Sequence, residues 1–532
     1  MQDNAATSAT DLEREVQALM QSGKLREAAA VCDRLNHQFP DHISGWFTAS
    51  QLALQVNEPQ IAVRAIDRAL TLSPGQPELL LQKVRCLGAA GDVDEARKLA
   101  ERLSEHQFAS SKHASGCGLA MSQLGLHEMA KNQFVRAVDL EPGNPGHHYN
   151  LATTLRFLGD LDAAAASLDR TLGLNPDDAE AHYLRSGLVT QSAERNHVDE
   201  LSAAIERAED DRDRVRLGFA LAKEYEDLGE YENSFTSLSQ AAAVRRKGTQ
   251  YRPERELETM QSIRDTFDAD RMTQGGGHVN AAPIFVIGMP RTGTTLVDRI
   301  LSSHSVVSSA GELQAFSIEL QKQCQRKFET PPQSPADLVR MSAQIDFEAL
   351  GESYINSTRG VAGEGAHFVD KLPFNFLYAG LIHLALPKAK IVLLRRDPMD
   401  TCYAVYKTLF EAAYPFSYDL EELANYFVAY HGLVKHWLAC LPGRIHVVRY
   451  EELVSESRPV IENLLDHCGL SFEDACLRFY ENREASTTAS ASQVRSDMHT
   501  RSIGNWKNYA RQLQPVHDIL TQAGVIDANQ TQ

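Results

Sequence analysis

The sequence predicts an N-terminal α-solenoid followed by a C-terminal α/β domain, with a central parallel sheet and a phosphate-loop-like turn. Three observations predict it. A spacing of 34 residues recurs through the first half, a triple glycine interrupts the chain at 275–277, and a short apolar run leading into a glycine-bearing turn follows almost at once. A chain of 532 residues exceeds one ordinary domain, and roughly two to four are expected.

The repeat is carried by three classes of position. Prolines fall at Pro40, Pro74, Pro142 and Pro176, with Phe108 in the missing slot. Gly23, Asn57, Gly91, Gly125 and Gly159 form a second comb, and an alanine follows each by five residues: Ala28, Ala62, Ala96, Ala130 and Ala164. The Gly or Asn suits the left-handed turn that ends a first helix. The alanine lets the second helix approach its neighbour, and the proline stops it. Two helices in 34 residues is the tetratricopeptide (TPR) period, and YNLATTLRFLGDLDAAAASLDRTLGLNP resembles that family. About six or seven units are expected over residues 11–247, the sixth being poor. In the last unit Gly229 is out of phase and Ser234 replaces the alanine. Such arrays hold a peptide or protein on a concave face. The period leaves equally open that role and a purely structural one, packing against the second domain or building a homodimer.

Residues 248–282 are expected to connect the halves. YRPERELETMQSIRDTFDAD is charged and helix-prone, and the glycine run then marks the boundary to a domain at 283–525. That domain opens with PIFVIGMPRTGTTLVDRILSSH. Ile284 to Ile287 has the continuous apolar character of a buried parallel strand. Leu296, Ile300 and Leu301 have helical spacing. Between them, Gly288 to Thr295 forms the strand–glycine loop–helix junction at which backbone N–H groups cradle a phosphate. In the nucleotide-triphosphate version GxxxxGK[ST] a lysine precedes the last hydroxyl. Here Thr294 stands in its place and Arg291 brings the positive charge, which suits an anionic 5′-phosphosulfate better than an ATP–magnesium complex.

GMPRTGTT after a strand resembles the sulfotransferases that use 3′-phosphoadenosine 5′-phosphosulfate (PAPS), in particular the tyrosylprotein sulfotransferase-like branch found fused to TPR arrays in bacteria. The resemblance covers roughly residues 283–510. It implies that Arg291, Thr292, Gly293, Thr294 and Thr295 bind the 5′-phosphosulfate, and that Glu312, in SSAGELQAF, is the catalytic base. An acceptor hydroxyl attacking sulfur must lose a proton, so a base within hydrogen-bond reach is required. His304 competes for that role. Lys371, in VDKLPFNF, is implied to stabilise charge on the bridging oxygen and leaving phosphate.

KIVLLRRDPMDTCYAVYKTLF supplies a second strand ending in Arg395 and Arg396. A guanidinium at a strand end suits a phosphate monoester, and the resemblance assigns Arg396 to the 3′-phosphate. The family serine eight residues later is Ala404 here. Asp397 is expected to cap the following helix. IHVVRYEEL is a third strand, and Tyr450 matches a tyrosine beside the nucleotide; a core or interface role is open too. In STTASASQVRSDMHTRSIGNWKNY, Ser490 matches a 5′-phosphate ligand, and Arg495, Gly504, Trp506 and Lys507 fit a loop closing over the nucleotide.

The expected reaction takes PAPS and an acceptor hydroxyl to a sulfate ester. The acceptor is a protein tyrosine, a glycan or a small hydroxylated metabolite. Relatives specialised for acidic peptides carry arginines two and six residues past the glutamate, where this chain has Gln314 and Ile318. Two other functions compete. One is a TPR scaffold whose second domain has lost catalysis, which Ala404 favours. The other is a P-loop kinase, which needs the missing lysine. No metal is expected. The net charge of −18 argues against a nucleic-acid or anionic-membrane binder. Eight scattered cysteines without a CxxC pair suggest buried thiols rather than a disulfide or zinc framework. No basic and apolar leader opens the chain, and no apolar run approaches the roughly 18 residues of a membrane span. A cytoplasmic location is expected.

Overall fold

The computed structural model describes residues 8–363, 365–410, 413–482 and 498–527. Two compact units result, one up to Asn175 and one from Pro176.

The first unit is a succession of helix pairs. They are Ala9–Gln21 with Leu25–Gln38, Ile43–Gln55 with Pro59–Leu72, Pro77–Ala90 with Val93–Ser104, Ser111–Gln123 with His127–Leu140, and Pro145–Leu158 with Leu161–Leu174. The turn residues Gly23, Asn57, Gly91, Gly125 and Gly159 all have positive φ, between 60° and 86°. The alanines Ala28, Ala62, Ala96, Ala130 and Ala164 are all 0% exposed, so the small side chain is required at each helix contact. Phe108 fills the slot without proline and is itself buried, with the His106 ring edge-on at 4.6 Å.

The second unit begins with repeat-like helices. Ala179–Ser186 is short, and a loop pinned to the helix Asp211–Asp227 separates it from the next helix, Val198–Arg207. There the buried Glu224 accepts from Ser186 Oγ at 2.6 Å and from His197 N at 2.6 Å. Asp211–Asp227 and Tyr231–Lys247 form a hairpin, and Pro253–Thr266 follows it.

The α/β layer holds five strands: β1 (Pro283–Gly288), β2 (Val307–Ser309), β3 (His367–Asp370), β4 (Lys390–Arg395) and β5 (Ile445–Arg449). Their order is β2-β3-β1-β4-β5, and every pairing is parallel. β1, β4 and β5 lie where the apolar runs predict strands; β2 has only three residues and no apolar run. Alternation along β1 divides the core. Ile284 and Val286 face Val297, Ile300, Val392 and Leu465. Phe285 and Ile287 face Phe316, Tyr354, Leu393 and Trp437.

That second face extends beyond the sheet domain. Phe219 and Leu238 of the hairpin, and Met260, Ile263 and Phe267 of the following helix, are buried in the same cluster. The end of the glycine run is likewise packed. A Cβ on Gly277 would run into the Leu384 and Ala385 carbonyl oxygens, and His278 N donates to Ala385 O at 2.8 Å. All eight cysteines are free thiols, seven buried and Cys440 half-buried. Among the described residues no helix is long and apolar enough to cross a membrane.

Candidate donor and acceptor site

In a parallel sheet, the loops at the carboxyl ends of the strands meet on one edge. Each strand here delivers a candidate residue to that edge. The loop Met289 to Gly293 follows β1, Glu312 follows β2, Lys371 follows β3, Arg396 follows β4 and Tyr450 follows β5.

The β1 loop is built from unusual backbone. Arg291 has φ 65°, rare for a residue with a side chain, and Gly293 has φ 100°. A Cβ on Gly293 would stand 2.7 Å from Tyr450 Cδ2, so glycine is needed for the ring to close on the loop. Thr292 Oγ1 donates to Met289 O at 2.7 Å, bracing the turn. The helix Thr294–Ser302 starts at Gly293 with no side-chain cap, which leaves its first N–H groups facing the loop.

Arg396 closes the other side. Its Nη1 donates to Arg291 O at 3.1 Å, its Nη2 donates to Ser502 O, and the guanidinium lies 4.9 Å from the Tyr450 ring centroid. Its Nε is buried and has no hydrogen-bond partner. Tyr450 OH and Ser502 Oγ are 2.7 Å apart. Burial, and then the neighbouring Arg396 charge, pull the Arg291 pKa down. Two guanidinium groups crowded together at a helix N-terminus create a strong local demand for an anion.

Asp397 caps the helix Pro398–Tyr406, accepting from Asp400 N at 2.9 Å. Asp400, which no sequence motif marks, is buried and accepts from Gly504 N at 2.6 Å and Trp506 N at 3.2 Å. It therefore ties the C-terminal segment to the Arg396 side of the site. The Trp506 side chain is buried in the apolar core and Lys507 is exposed. Ala404 is buried in the Pro398–Tyr406 helix. Ser490 and Arg495 lie outside the described residues.

At the other end of this edge the segments after β2 and β3 are stitched together. Lys371 N donates to Gly311 O at 2.8 Å, and Lys371 Nζ meets Glu312 Oε1 at 2.5 Å. The lysine side chain is 1% exposed and the glutamate 46%. Behind them Asp370, fully buried, accepts from Tyr354 OH at 2.9 Å; burial pushes its carboxyl up to about 7. Tyr414 has φ 56° and its ring lies 4.6 Å from both Phe374 and Phe410. Burial raises its phenol pKa, and the Glu312 charge adds to the shift.

His304 is elsewhere. It precedes β2, so it lies at the amino end of the strand whose carboxyl end leads to Glu312. Val306 N donates to its Nδ1 at 3.3 Å, which leaves Nε2–H to donate to Ser471 O at 2.9 Å. Both ring nitrogens are thus engaged, Nδ1 by the backbone just before β2 and Nε2 by the 471–473 loop.

A family model described as "Sulfotransferase family" matches residues 283–474, and a tetratricopeptide repeat model matches residues 53–115 and 123–188. An uncharacterised protein of Aquifex aeolicus (strain VF5) is 29% identical over 410 residues, which is 74% of this chain and 53% of that protein. The chain thus spans about half the length of that relative, 53%. A Caenorhabditis briggsae protein, provisionally named a protein-tyrosine sulfotransferase, is 27% identical over 235 residues, 42% of this chain and 80% of its own. Among solved structures, the sulfotransferase domain from the curacin biosynthetic pathway is 19% identical, with TM-score 0.31, covering 47% of this chain and 99% of that one. YrrB, a TPR protein, is 17% identical with TM-score 0.27, covering 34% and 92%.

Proposed function

From a chain that carries tetratricopeptide repeats ahead of a sulfotransferase-family domain at residues 283–474, we propose a PAPS-dependent enzyme that moves a sulfuryl group to an acceptor hydroxyl. The observation that carries this reading is the convergence of Arg291, Glu312, Lys371, Arg396 and Tyr450 just past the carboxyl ends of five parallel strands.

The residues present fit the donor. Arg396 Nε is a buried hydrogen-bond donor with no partner, as a 3′-phosphate ligand should be before its anion arrives. The loop from Arg291 to Thr295, with the uncapped helix N-terminus, is fitted to hold the 5′-phosphosulfate. Ser490, Arg495 and Lys507 would cover it, with Trp506 anchoring that segment in the core. PAPS supplies an electrophilic sulfur attached to a phosphate leaving group.

Glu312 Oε takes the proton of the acceptor hydroxyl as its oxygen bonds to sulfur, and the bond from sulfur to the phosphate oxygen breaks. Lys371 Nζ donates to that oxygen as its charge grows. The products are a sulfate ester and adenosine 3′,5′-bisphosphate. In the resting site the two catalytic groups satisfy each other at 2.5 Å, which holds Glu312 toward the acceptor side. The acceptor is a hydroxyl on a protein, glycan or small molecule, and a protein tyrosine is one candidate. The repeats would present it or hold a protein partner. Calorimetry tests the donor: adenosine 3′,5′-bisphosphate should bind at least tenfold more tightly than AMP, a difference one charge-assisted phosphate contact supplies. Equal affinities would remove PAPS from the reading.

A further inference from the structure

Ser234 stands where the regular repeats keep an alanine, and it makes a contact those alanines cannot. It is buried, its hydroxyl donates to Ala222 O at 2.7 Å, and the Tyr509 phenol oxygen lies 3.1 Å away. Tyr231 and Phe235, one turn apart on the same helix face, flank Tyr509 at ring distances of 5.4 and 6.0 Å. Phe235 also stacks on Tyr406 at 5.9 Å. From the preceding helix, Glu226 holds Lys407 Nζ with both oxygens, at 2.8 and 3.0 Å. Lys407 is the residue that ends the Pro398–Tyr406 helix.

These contacts converge on the surroundings of Arg396. Tyr509 ends the turn Asn505–Tyr509, whose beginning is held by Asp400 through the Gly504 and Trp506 amides. Two residues before Gly504, Ser502 gives its carbonyl to Arg396 and its hydroxyl to Tyr450. Arg396 is thus framed by a helix and a segment that share one support, the hairpin of Asp211–Asp227 and Tyr231–Lys247. In a regular repeat this face packs on the next repeat. Here it packs on the catalytic domain.

We propose that this last repeat-like hairpin is a working part of the donor site, with Ser234 and Glu226 as positioning residues. They hold the 502–509 segment and the Pro398–Tyr406 helix so that Arg396 keeps two donors on backbone carbonyls and leaves Nε free for an anion. The inference rests on the reading that Arg396 takes the 3′-phosphate. It explains why the alanine comb breaks at this unit: the position keeps a small, buried side chain and adds a hydrogen bond to Tyr509.

The test uses the full chain and calorimetry with adenosine 3′,5′-bisphosphate and AMP. Ser234→Ala restores the regular repeat residue and removes the hydrogen bonds to Ala222 O and Tyr509 without adding bulk, and only the second reaches the donor site. It should weaken the bisphosphate about fivefold, the scale of one hydrogen bond, and leave AMP unchanged. Tyr509→Phe should give the same loss, and the double variant no more than either single one. Variants with an unaltered thermal midpoint and the wild-type preference for the bisphosphate overturn the proposal. Hydrogen exchange on the wild type decides the matter even if the variants unfold. Protection by the bisphosphate of residues 502–509 together with 231–238 supports it, and protection of 502–509 alone overturns it. A wild type without preference for the bisphosphate overturns the donor assignment, and the role of the hairpin falls with it.

Discussion

The Lys371 ammonium and the Glu312 carboxylate are 2.5 Å apart although 59 residues separate them in sequence. The two ends of the pair differ in environment, for Lys371 is almost fully buried and Glu312 is half open to solvent. Removing either end therefore has different consequences. Lys371→Met keeps the length of the side chain and leaves a carboxylate that water can solvate, so the fold should survive. Turnover should fall by roughly a hundredfold to a thousandfold, as when a group poised at developing negative charge is lost. Single-turnover rates at saturating donor check this; a loss confined to the acceptor KM would assign Lys371 to binding instead.

Gly293→Ala should damage the donor site more than the fold. Its φ of 100° is strained for any side chain, and the new methyl would stand 2.7 Å from the Tyr450 ring that covers Arg396. A backbone cost of about 1–3 kcal/mol is expected, together with at least a tenfold loss of bisphosphate affinity, on the order of 1.4 kcal/mol. Adding Tyr450→Ala should relieve the clash without relieving the φ. Thermal unfolding of the single and double variants separates the two terms.

Asp370 gives stability a pH dependence of defined sign. Burial raises its folded-state pKa to about 7 from an ordinary value of 3.8, against the opposing hydrogen bond from Tyr354. The folded state then binds more protons than the unfolded state between those values. Its contribution is fully present below about pH 4 and is lost as pH rises through about 7. Chemical denaturation at several pH values should show this decline in the wild type. Asp370→Asn should flatten it; an unchanged slope would assign the dependence to other groups.

A chain cut to begin at residue 276 should fail to fold. Phe219, Leu238, Met260, Ile263, Phe267 and Met272 are buried with Phe285 and Trp437 in one cluster, and removing them exposes the apolar helix faces they cover. A chain begun at Pro176 keeps all of them, and should be soluble and bind the bisphosphate. Soluble yield and circular dichroism of the two products check this. A folded 276 product would show that the hairpin and the helix after it are dispensable.

Much of this was legible locally. The 34-residue comb marks turns that all have positive φ and alanines that are all fully buried, because helix ends and close contacts constrain single positions. GMPRTGTT announced the β1 loop for the same reason, since few residues tolerate the backbone at Arg291 and Gly293. What was not legible is long-range. The sharing of one core by Phe219 and Trp437, and the hold of Asp400 on Gly504, join distant segments that no period connects. Asp370 was hidden beside Lys371, its burial depending on Tyr354 from another helix. The glycine run resembled a linker, yet Gly277 is glycine because carbonyl oxygens crowd it. Ser234 was visible as a departure from the comb, but its reason appears only with Tyr509 in place.

Transfer of labelled sulfuryl groups from PAPS, compared between the wild type, Glu312→Gln and His304→Ala, shows whether the chain moves sulfuryl groups and whether Glu312 is the base. Glu312→Gln keeps the shape of the side chain but cannot take a proton, and His304 is occupied at both ring nitrogens with Val306 and Ser471. The wild type should label an acceptor, and Glu312→Gln should be slower by roughly a hundredfold to ten-thousandfold with bisphosphate affinity retained. His304→Ala should transfer at close to the wild-type rate while losing about 1–3 kcal/mol of stability from the unpaired loop. A wild type that transfers no label, or an active Glu312→Gln beside an inactive His304→Ala, would contradict the account.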